Sequence, residues 1–325
     1  MGLLSFAAKL RVQNKANLLY CQRATMNDKE QFETVGDGLL VRAPAKINLS
    51  LLVAGKRPDG FHELETIMAK VNWYDEILIE PGLKASIELL CQGPHWAPAG
   101  QENLIYQAAK LLLNSCGVWT DIKITLTKNI PAGSGLGSAS SDAAAILMGL
   151  NQYMDFQLPN RQLAKLAPRL GSDVAFFLGG PLAFCTGKGE KIKKLDKNFN
   201  FLALLILPDV SVSTQKVYAN YTHNQPLYEK LSTQINSHIQ KNNIDLVAKL
   251  CANMLEKSCF SLVEGLAELK AKIESLSTGP CCLSGSGSAM FCIIESGDEE
   301  IARQYKHKLE EKVGCKSIIV SSNRW

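Results

Sequence analysis

The feature that most constrains the fold is a glycine-rich segment, residues 131–142, which lies between a strand pattern and a helix pattern. Before it, Ile122, Ile124 and Leu126 alternate with polar residues, which predicts a half-buried strand. After it, small and apolar residues recur at helical spacing over residues 139–150, which predicts a helix. Glycine permits a positive φ and a close approach of the backbone to a ligand, and a helix N-terminus offers unpaired N–H groups to an anion. The segment therefore predicts a phosphate-binding loop, and the candidate ligand is a nucleotide phosphate.

Two common phosphate-binding motifs do not match this segment. A dinucleotide fingerprint starting at Gly133 would require glycine at position 138, where the chain has Ser138. A Walker A loop would require Gly-Lys-Ser or Gly-Lys-Thr after four intervening residues, and the segment lacks it. An ordinary glycine-rich loop followed by a serine-capped helix stays open as the alternative. The residues predicted to bind the nucleotide are Pro131, Ala132, Gly133, Ser134, Gly135, Leu136, Gly137, Ser138, Ala139, Ser140 and Ser141.

Composition excludes several other classes of protein. The longest clear apolar run, residues 201–207, is much shorter than the ~20 residues that cross a bilayer, so we expect no membrane-spanning role. The formal net charge of +4 comes from four basic residues that precede the first acidic residue, Asp28. Without those four, basic and acidic residues balance, and a nucleic-acid-binding surface is not indicated. The ten cysteines are irregularly spaced and form no C-x-x-C pair, which predicts reduced thiols in a cytosol-like compartment.

The N-terminal segment, residues 1–37, differs from the rest of the chain because it is basic and poor in acidic residues. We interpret it as a disordered tail, or as sequence upstream of a true start at Met26, with a targeting peptide as the other interpretation. Beyond it, strands dominate first and then mix with helices. A charged stretch at residues 190–197 suggests a boundary, which divides the chain into domains at 38–195 and 196–325.

Residues 45–53 alternate in polarity, as a strand with one polar face does. Lys46, Asn48 and Ser50 fall on that face, and the apolar residues between them fall on the other. Pro44 indicates a strand beginning or a sheet edge, because proline cannot donate a ladder hydrogen bond. Taken alone, Lys46 is more typical of a surface lysine than of a functional residue.

Three further segments contain residues suited to ligand chemistry. Residues 57–62 combine a Pro-Asp-Gly turn with Phe61 and His62, which suit stacking on and hydrogen bonding to a planar ring; a packed turn accounts for them equally well. Asp173 precedes an apolar run. It either caps a short helix or is held partly buried for a functional role, and capping is slightly favoured. Residues 283–289 form a second small-residue loop, which alone is a weak signal.

Four blocks of sequence, at residues 43–49, 57–62, 131–142 and 171–177, occur together in the GHMP kinase superfamily, which includes galactokinase, homoserine kinase and mevalonate kinase. The chain resembles that superfamily over about residues 39–322. Three of these blocks, at residues 43–49, 57–62 and 171–177, resemble in detail the sequences of one branch of the superfamily. That branch phosphorylates 4-diphosphocytidyl-2-C-methyl-D-erythritol in non-mevalonate isoprenoid precursor biosynthesis. The resemblance implies an α+β fold of two domains, a mixed N-terminal ATP-binding domain and an α+β C-terminal domain, with the active site in the cleft between them.

The same resemblance implies a site chemistry. ATP would bind through the 131–141 loop with Mg²⁺ near its triphosphate, and the γ-phosphoryl group would pass to the substrate's 2-hydroxyl. By family analogy Asp173 accepts the hydroxyl proton, and Lys46 orients the hydroxyl and stabilises the developing charge. Substrate recognition would fall to Asn48, Phe61, His62 and Tyr218, with Phe61 and Tyr218 on either side of the cytosine ring and His62 bonding its edge.

Some features leave alternatives open. Asp142, at the predicted helix start, is stabilised by the helix dipole whether or not it holds Mg²⁺, so no metal ligand is assigned. A homoserine or mevalonate kinase would keep the loop without needing the three ring-binding residues, and a non-catalytic ligand sensor would not need Asp173 or Lys46. We expect a small-molecule substrate with a cytidine diphosphate group, no nucleic-acid or membrane partner, and a monomer or weak homodimer. The expected location is cytoplasmic, or plastid if the extension is a transit peptide.

Overall fold

Two β-sheets organise the chain in this computed structural model, which describes residues 29–83, 86–195, 199–276, 279–294 and 297–325. The strands of the first sheet are β1 (Phe32–Val35), β2 (Gly38–Lys56), β3 (His62–Pro81), β4 (Ile87–Gln92), β5 (Ile122–Thr127), β6 (Leu182–Gly187) and β7 (Lys191–Lys194). Their order is β1-β2-β3-β5-β4, and β6 pairs with both β3 and β7. Only β4 and β5 pair in parallel among these described strands.

The second sheet is antiparallel and has the order β11-β8-β10-β9. Its strands are β8 (Leu202–Leu207), β9 (Cys281–Leu283), β10 (Met290–Ile294) and β11 (Lys316–Ser321). The α-helices are α1 (Leu104–Cys116), α2 (Ser138–Tyr153), α3 (Asn160–Leu166), α4 (Val174–Phe177), α5 (Thr214–Ala219), α6 (Gln225–Gln240), α7 (Ile244–Lys249), α8 (Glu256–Leu262), α9 (Leu266–Ser275) and α10 (Glu299–Val313).

The buried side chains form two hydrophobic clusters. One packs α1, α2 and α4 against the larger sheet, and the other joins the second sheet and the later helices to β2 and β3. Ile47 and Leu49 lie in the second cluster, as the alternation of residues 45–53 predicted. The long strand β2 therefore takes part in the second core while its polar residues face away from it.

The strand β2 changes partners at Pro44. Its first residues pair with both β1 and β3, and a register shift with β3 falls between Pro44 and Ala45. Beyond the proline, the Lys46 amide donates to Leu136 O at 2.9 Å instead of to a strand. Pro44 thus lies where β2 has lost its pairing with β1, and the glycine-rich segment covers that side of the strand.

The predicted two-domain α+β fold is confirmed, and the strand, glycine loop and helix around residue 135 occur as β5, a loop and α2. The extension assigned to residues 1–37 needs correction at its end, because β1 pairs with β2 and adds residues 32–35 to the sheet. The rest of that interpretation concerns residues 1–28, which lie outside the described residues. The division at residue 195 falls between the strands of the two sheets and stays a prediction. In the described ranges, every helix is too short or too polar to span a bilayer.

The expectation that the thiols are reduced is wrong for one pair. Cys251, just after α7, forms a disulfide with Cys282 in β9, with a Cα–Cα distance of 4.9 Å. Spacing along the sequence could not reveal this bond, because the two residues meet only where α7 packs against the second sheet. Cys185 and Cys259 are buried free thiols in the described part of the chain.

A buried lysine in β3 makes fold stability depend on pH. Lys70 is 1% exposed, and its ammonium group donates to Phe177 O at 3.0 Å and Gly179 O at 2.8 Å, at the end of α4. Burial lowers the pKa of Lys70 to about 7. In the unfolded chain a lysine has a pKa of about 10.4, so between these values the unfolded state binds the extra proton and rising pH favours the fold.

We expect the free energy of unfolding to gain up to ~1.4 kcal/mol per pH unit from Lys70 between pH 7 and pH 10. Lys70→Met removes this titration, so wild type should gain stability relative to the variant as pH rises. Urea unfolding at pH 7, 8 and 9 measures the difference. Parallel pH dependences of the two proteins would show that Lys70 is ionised throughout this range.

Candidate active site

The loop between β5 and α2 has the conformation that its glycines predicted. Gly133, Gly135 and Gly137 adopt φ values of 68°, 81° and 71°. Gly137 is the N-cap residue of α2 and provides no side-chain hydrogen bond to the first turn. The serine cap of the alternative interpretation is therefore absent, so the N–H groups of this turn receive no capping side chain at the N-cap position.

The second glycine loop packs directly on the first. Ser284 Oγ donates to Gly135 O at 3.0 Å, and the Ala289 amide donates to Ser134 O at 3.0 Å. A Cβ atom on Gly135 would lie 2.1 Å from Ser284 O, so only glycine fits. The loop at residues 283–289, a weak signal in the sequence, thus supports the centre of the glycine-rich loop.

Lys46 extends from β2 to the glycine-rich loop. Its ammonium group donates to Asn48 Oδ1 at 2.6 Å and to Gly135 O at 2.8 Å. The side chain is buried, so the surface interpretation of this lysine is wrong. Burial lowers the pKa of Lys46, and the nearby Asp173 carboxylate opposes that effect. Asn48 is itself fixed, because its Nδ2 donates to Thr66 Oγ1 at 2.8 Å.

Asp173 completes a pair with this lysine. Its Oδ2 lies 3.9 Å from Lys46 Nζ, and about a third of its side chain is exposed. Asp173 occupies the N-cap position of the single-turn helix α4 but makes no capping hydrogen bond, so the capping interpretation is wrong. The thiol of Cys185 is a buried neighbour of both groups, and burial raises its pKa well above the usual range, which keeps it protonated.

Among the residues predicted to recognise a ring, Tyr218 lies near Asp173, because burial and the charge of Asp173 both raise the pKa of its phenol. The His62 ring stacks on Tyr218 with centroids 5.2 Å apart, and Tyr221 meets it edge-on at 5.8 Å. Burial, with Lys56 and His223 nearby, lowers the pKa of His62, so the imidazole is neutral at pH 7. Phe61 is largely exposed, and Lys188 Nζ lies 4.1 Å from the centre of its ring. The Lys188 ammonium group thus lies over one face of the Phe61 ring, whereas the His62 ring lies over one face of Tyr218.

The sequence reasoning missed Lys188. This residue lies in the turn between β6 and β7, where its ammonium group is 3.4 Å from Asp59 Oδ2. The next residue, Gly189, brings the same turn close to Asp173, since a Cβ there would lie 3.5 Å from Asp173 Oδ1. A lysine between two glycines in a hairpin was the available sequence signal, but the partners of that turn are distant in sequence.

A buried charge cluster lies next to the glycine-rich loop. Lys128 Nζ is 2.7 Å from Asp75 Oδ2 and also pairs with Asp142 Oδ2. Burial raises the pKa of Asp142, with Lys128 opposing the shift and Asp75 adding to it. Asp142 has a signal in the sequence, at the start of the predicted helix, but Asp75 and Lys128 have none, because an isolated strand carboxylate and an isolated lysine carry no local motif.

The described residues contain no group of three or more His, Cys, Asp or Glu side chains arranged around a metal. Mg²⁺ that binds with a nucleotide needs only one or two protein oxygens, because phosphates and water supply the others. Ser141 Oγ and Asp142 Oδ1 are buried oxygens that lack a hydrogen-bond partner within the described ranges. These two oxygens fit the donor chemistry of a nucleotide-bound Mg²⁺.

Comparisons with known proteins show the family of this chain. The family model "GHMP kinases N terminal domain" matches residues 103–181, and "GHMP kinases C terminal" matches residues 235–311. The 4-diphosphocytidyl-2-C-methyl-D-erythritol kinase of Geobacillus sp. (strain WCH70) is 36% identical over 267 residues, which cover 82% of this chain and 91% of the relative. The enzyme of that name from Clostridium botulinum (strain Eklund 17B / Type B) is 34% identical over 84% of this chain and 96% of its own.

Two solved structures are also similar to this chain. A crystal structure of 4-(cytidine 5'-diphospho)-2C-methyl-D-erythritol kinase is 30% identical, with a TM-score of 0.69, and the match covers 88% of this chain and all of that one. Homoserine kinase from Cytophaga hutchinsonii has a TM-score of 0.70 over 91% of this chain and 98% of its own, at 20% identity. The second likeness concerns the fold alone.

Proposed function

The chain belongs to the 4-diphosphocytidyl-2-C-methyl-D-erythritol kinases of the GHMP kinase family, and we propose that it transfers the γ-phosphoryl group of ATP to the 2-hydroxyl of that substrate. The reaction serves the non-mevalonate route to isoprenoid precursors. One observation carries the proposal for the site: Lys46 contacts Gly135 of the phosphate-binding loop and lies 3.9 Å from Asp173. A fixed cation and a partly exposed carboxylate therefore flank the loop, which suits phosphoryl transfer to an alcohol.

The ATP phosphates bind, in this proposal, along residues 131–141. The positive φ of the three glycines and the uncapped first turn of α2 present backbone N–H groups to the phosphate oxygens. Phosphoryl transfer depends mostly on positioning and on electrostatic stabilisation, because the transition state distributes negative charge over the phosphoryl oxygens. A loop held rigidly by its neighbours supplies both.

Asp173 is proposed as the base that accepts the proton of the substrate's 2-hydroxyl. As that oxygen bonds to the γ-phosphorus, the bond from the γ-phosphorus to the bridging oxygen breaks and ADP leaves. Lys46 orients the hydroxyl and stabilises negative charge on the reacting oxygens, held in place by Asn48 and Gly135. Bound Mg²⁺ would neutralise charge on the triphosphate, and Ser141 and Asp142 are the residues proposed to hold it.

The substrate's cytidine diphosphate end is assigned to Asn48, Phe61, His62 and Tyr218. Neutral His62 can both donate and accept a hydrogen bond, as the polar edge of a cytosine requires. The rings of Phe61 and Tyr218 offer stacking faces, and Lys188 adds a cation beside Phe61 that suits the diphosphate. The monomeric or weakly dimeric state and the cytoplasmic location stay predictions from the sequence.

A substrate panel tests this function. The purified full chain is mixed with ATP and Mg²⁺ and, separately, with the diphosphocytidyl substrate, homoserine and mevalonate, and ADP release is followed. We expect turnover with the diphosphocytidyl substrate alone. Turnover only with homoserine or mevalonate would contradict the substrate assignment, and binding of ATP without turnover of any alcohol would favour a ligand sensor on this fold.

A further inference from the structure

Asp75, in β3, is a fully buried carboxylate that the reaction scheme above does not use. Its Oδ1 accepts hydrogen bonds from the Asn129 amide at 2.6 Å and from the Ile130 amide at 2.8 Å. Its Oδ2 accepts from Lys128 Nζ at 2.7 Å and from Ser138 Oγ at 3.2 Å. Four donors thus converge on one side chain, which satisfies a carboxylate that burial would otherwise make costly.

These donors come from both ends of the phosphate-binding loop. Residues 128–130 lead into it from β5, and Ser138 is the first residue of α2, which leaves it. Asp75 therefore closes residues 131–137 into a ring whose ends are fixed to the central strand β3. The contacts from Ser284 and Ala289 fix the middle of the same loop from the second sheet, so the two supports are independent.

Lys128 balances the charge of this anchor. Its ammonium group lies 2.7 Å from Asp75 Oδ2 and also pairs with Asp142 Oδ2. It shares its charge between the two carboxylates, one in β3 and one in the first turns of α2. The helix whose N-terminus faces the nucleotide is therefore tied to β3 both through Ser138 and through the Lys128 bridge.

We propose that Asp75 is a positioning residue for ATP, which holds the two ends of the phosphate-binding loop so that its N–H groups are preorganised for the phosphates. It touches neither nucleotide nor reacting atoms and acts through residues 129, 130 and 138. A loop without this anchor must be ordered by the nucleotide itself, and the cost of that ordering reduces affinity. The effect falls on ATP, because none of the bonds to Asp75 involves the residues assigned to the cytidine end.

The test measures binding of a non-hydrolysable ATP analogue with Mg²⁺ by calorimetry, and both KM values, in the full chain. Analogue binding does not depend on the acceptor alcohol, so it separates this inference from the substrate assignment on which the KM values rest. Asp75→Asn keeps the size but places an NH₂ group against Lys128 or the backbone amides. We expect the Kd and KM for the nucleotide to rise at least ~10-fold, since charge-assisted hydrogen bonds are lost, with the KM for the alcohol unchanged.

Two further variants make the result decisive. Ser138→Ala removes one of the four bonds and should weaken analogue binding about 3-fold, while the double variant should bind no more weakly than Asp75→Asn alone, because the serine acts through the aspartate. Glu65→Gln is the matched control: this half-buried carboxylate of the same strand accepts from Tyr228 Oη at 2.9 Å and Ser232 Oγ at 2.8 Å, away from the loop.

The control should leave nucleotide affinity as in wild type. Three results would overturn the proposal: an Asp75→Asn protein that binds the analogue as wild type does, equal rises in both KM values, or additive effects of the two variants. If Asp75→Asn does not fold, Ser138→Ala decides alone, and unchanged analogue binding by that folded variant would overturn the proposal.

Discussion

Asp173→Asn is expected to lower kcat at least ~10²-fold while leaving ATP binding nearly intact, as follows when a positioned proton acceptor is lost. Asparagine has the size of aspartate but cannot take up the hydroxyl proton. Asp173 contacts the Lys46 ammonium group, whose other partners, Asn48 and Gly135, remain. The nucleotide loop should therefore keep its conformation, and the loss should appear in turnover.

Single-turnover rates and calorimetric binding of an ATP analogue measure the two parts of this prediction. Asp155→Asn is a suitable control, because Asp155 is exposed and its positive φ of 51° suits asparagine equally well. It should behave as wild type in both measurements. Near-normal turnover by Asp173→Asn would remove this residue from the proton-transfer step.

Gly135→Ala should have the second large effect, on both the fold and nucleotide binding. Gly135 has a φ of 81°, and a Cβ there would lie 2.1 Å from Ser284 O and 3.1 Å from both backbone N and O of Gly287. These neighbours are backbone atoms, so one of the two loops must move. We expect the free energy of unfolding to fall by about 3 kcal/mol or more. The left-handed backbone contributes ~1–2 kcal/mol of this and overpacking contributes ~1–3 kcal/mol.

Gly133→Ala separates these two causes. Gly133 also has a positive φ, of 68°, but the nearest atom to its Cβ would be Ser211 Cβ at 3.9 Å. In this control the free energy of unfolding should fall by only ~1–2 kcal/mol, because backbone strain is the only cost. Urea unfolding and analogue binding, measured on both variants, give the comparison. Equal losses would mean that the second loop yields readily and does not shape the nucleotide site.

Much of the site could be predicted because its signals are local. The alternation before residue 128, the glycines and the helical spacing afterwards all lie within about thirty residues and predict β5, the loop and α2. The polar face of residues 45–53 likewise follows from the two-residue period of a strand. Two expectations that rest on a single residue are wrong. Lys46 is not a surface lysine, and Asp173 does not cap its helix.

Local conformations follow from the sequence alone, and four sequence blocks in a recognisable order indicate the kind of chemistry. Which side chains share a site depends instead on how distant segments of the chain pack together. In the folded chain Asp173 lies close to Lys46, and Ser284 packs against Gly135. Both ends of the glycine-rich loop donate hydrogen bonds to Asp75. The physical reason is that periodicity and turn chemistry act between neighbours in the chain, whereas contacts between distant segments depend on how the two sheets and their helices pack.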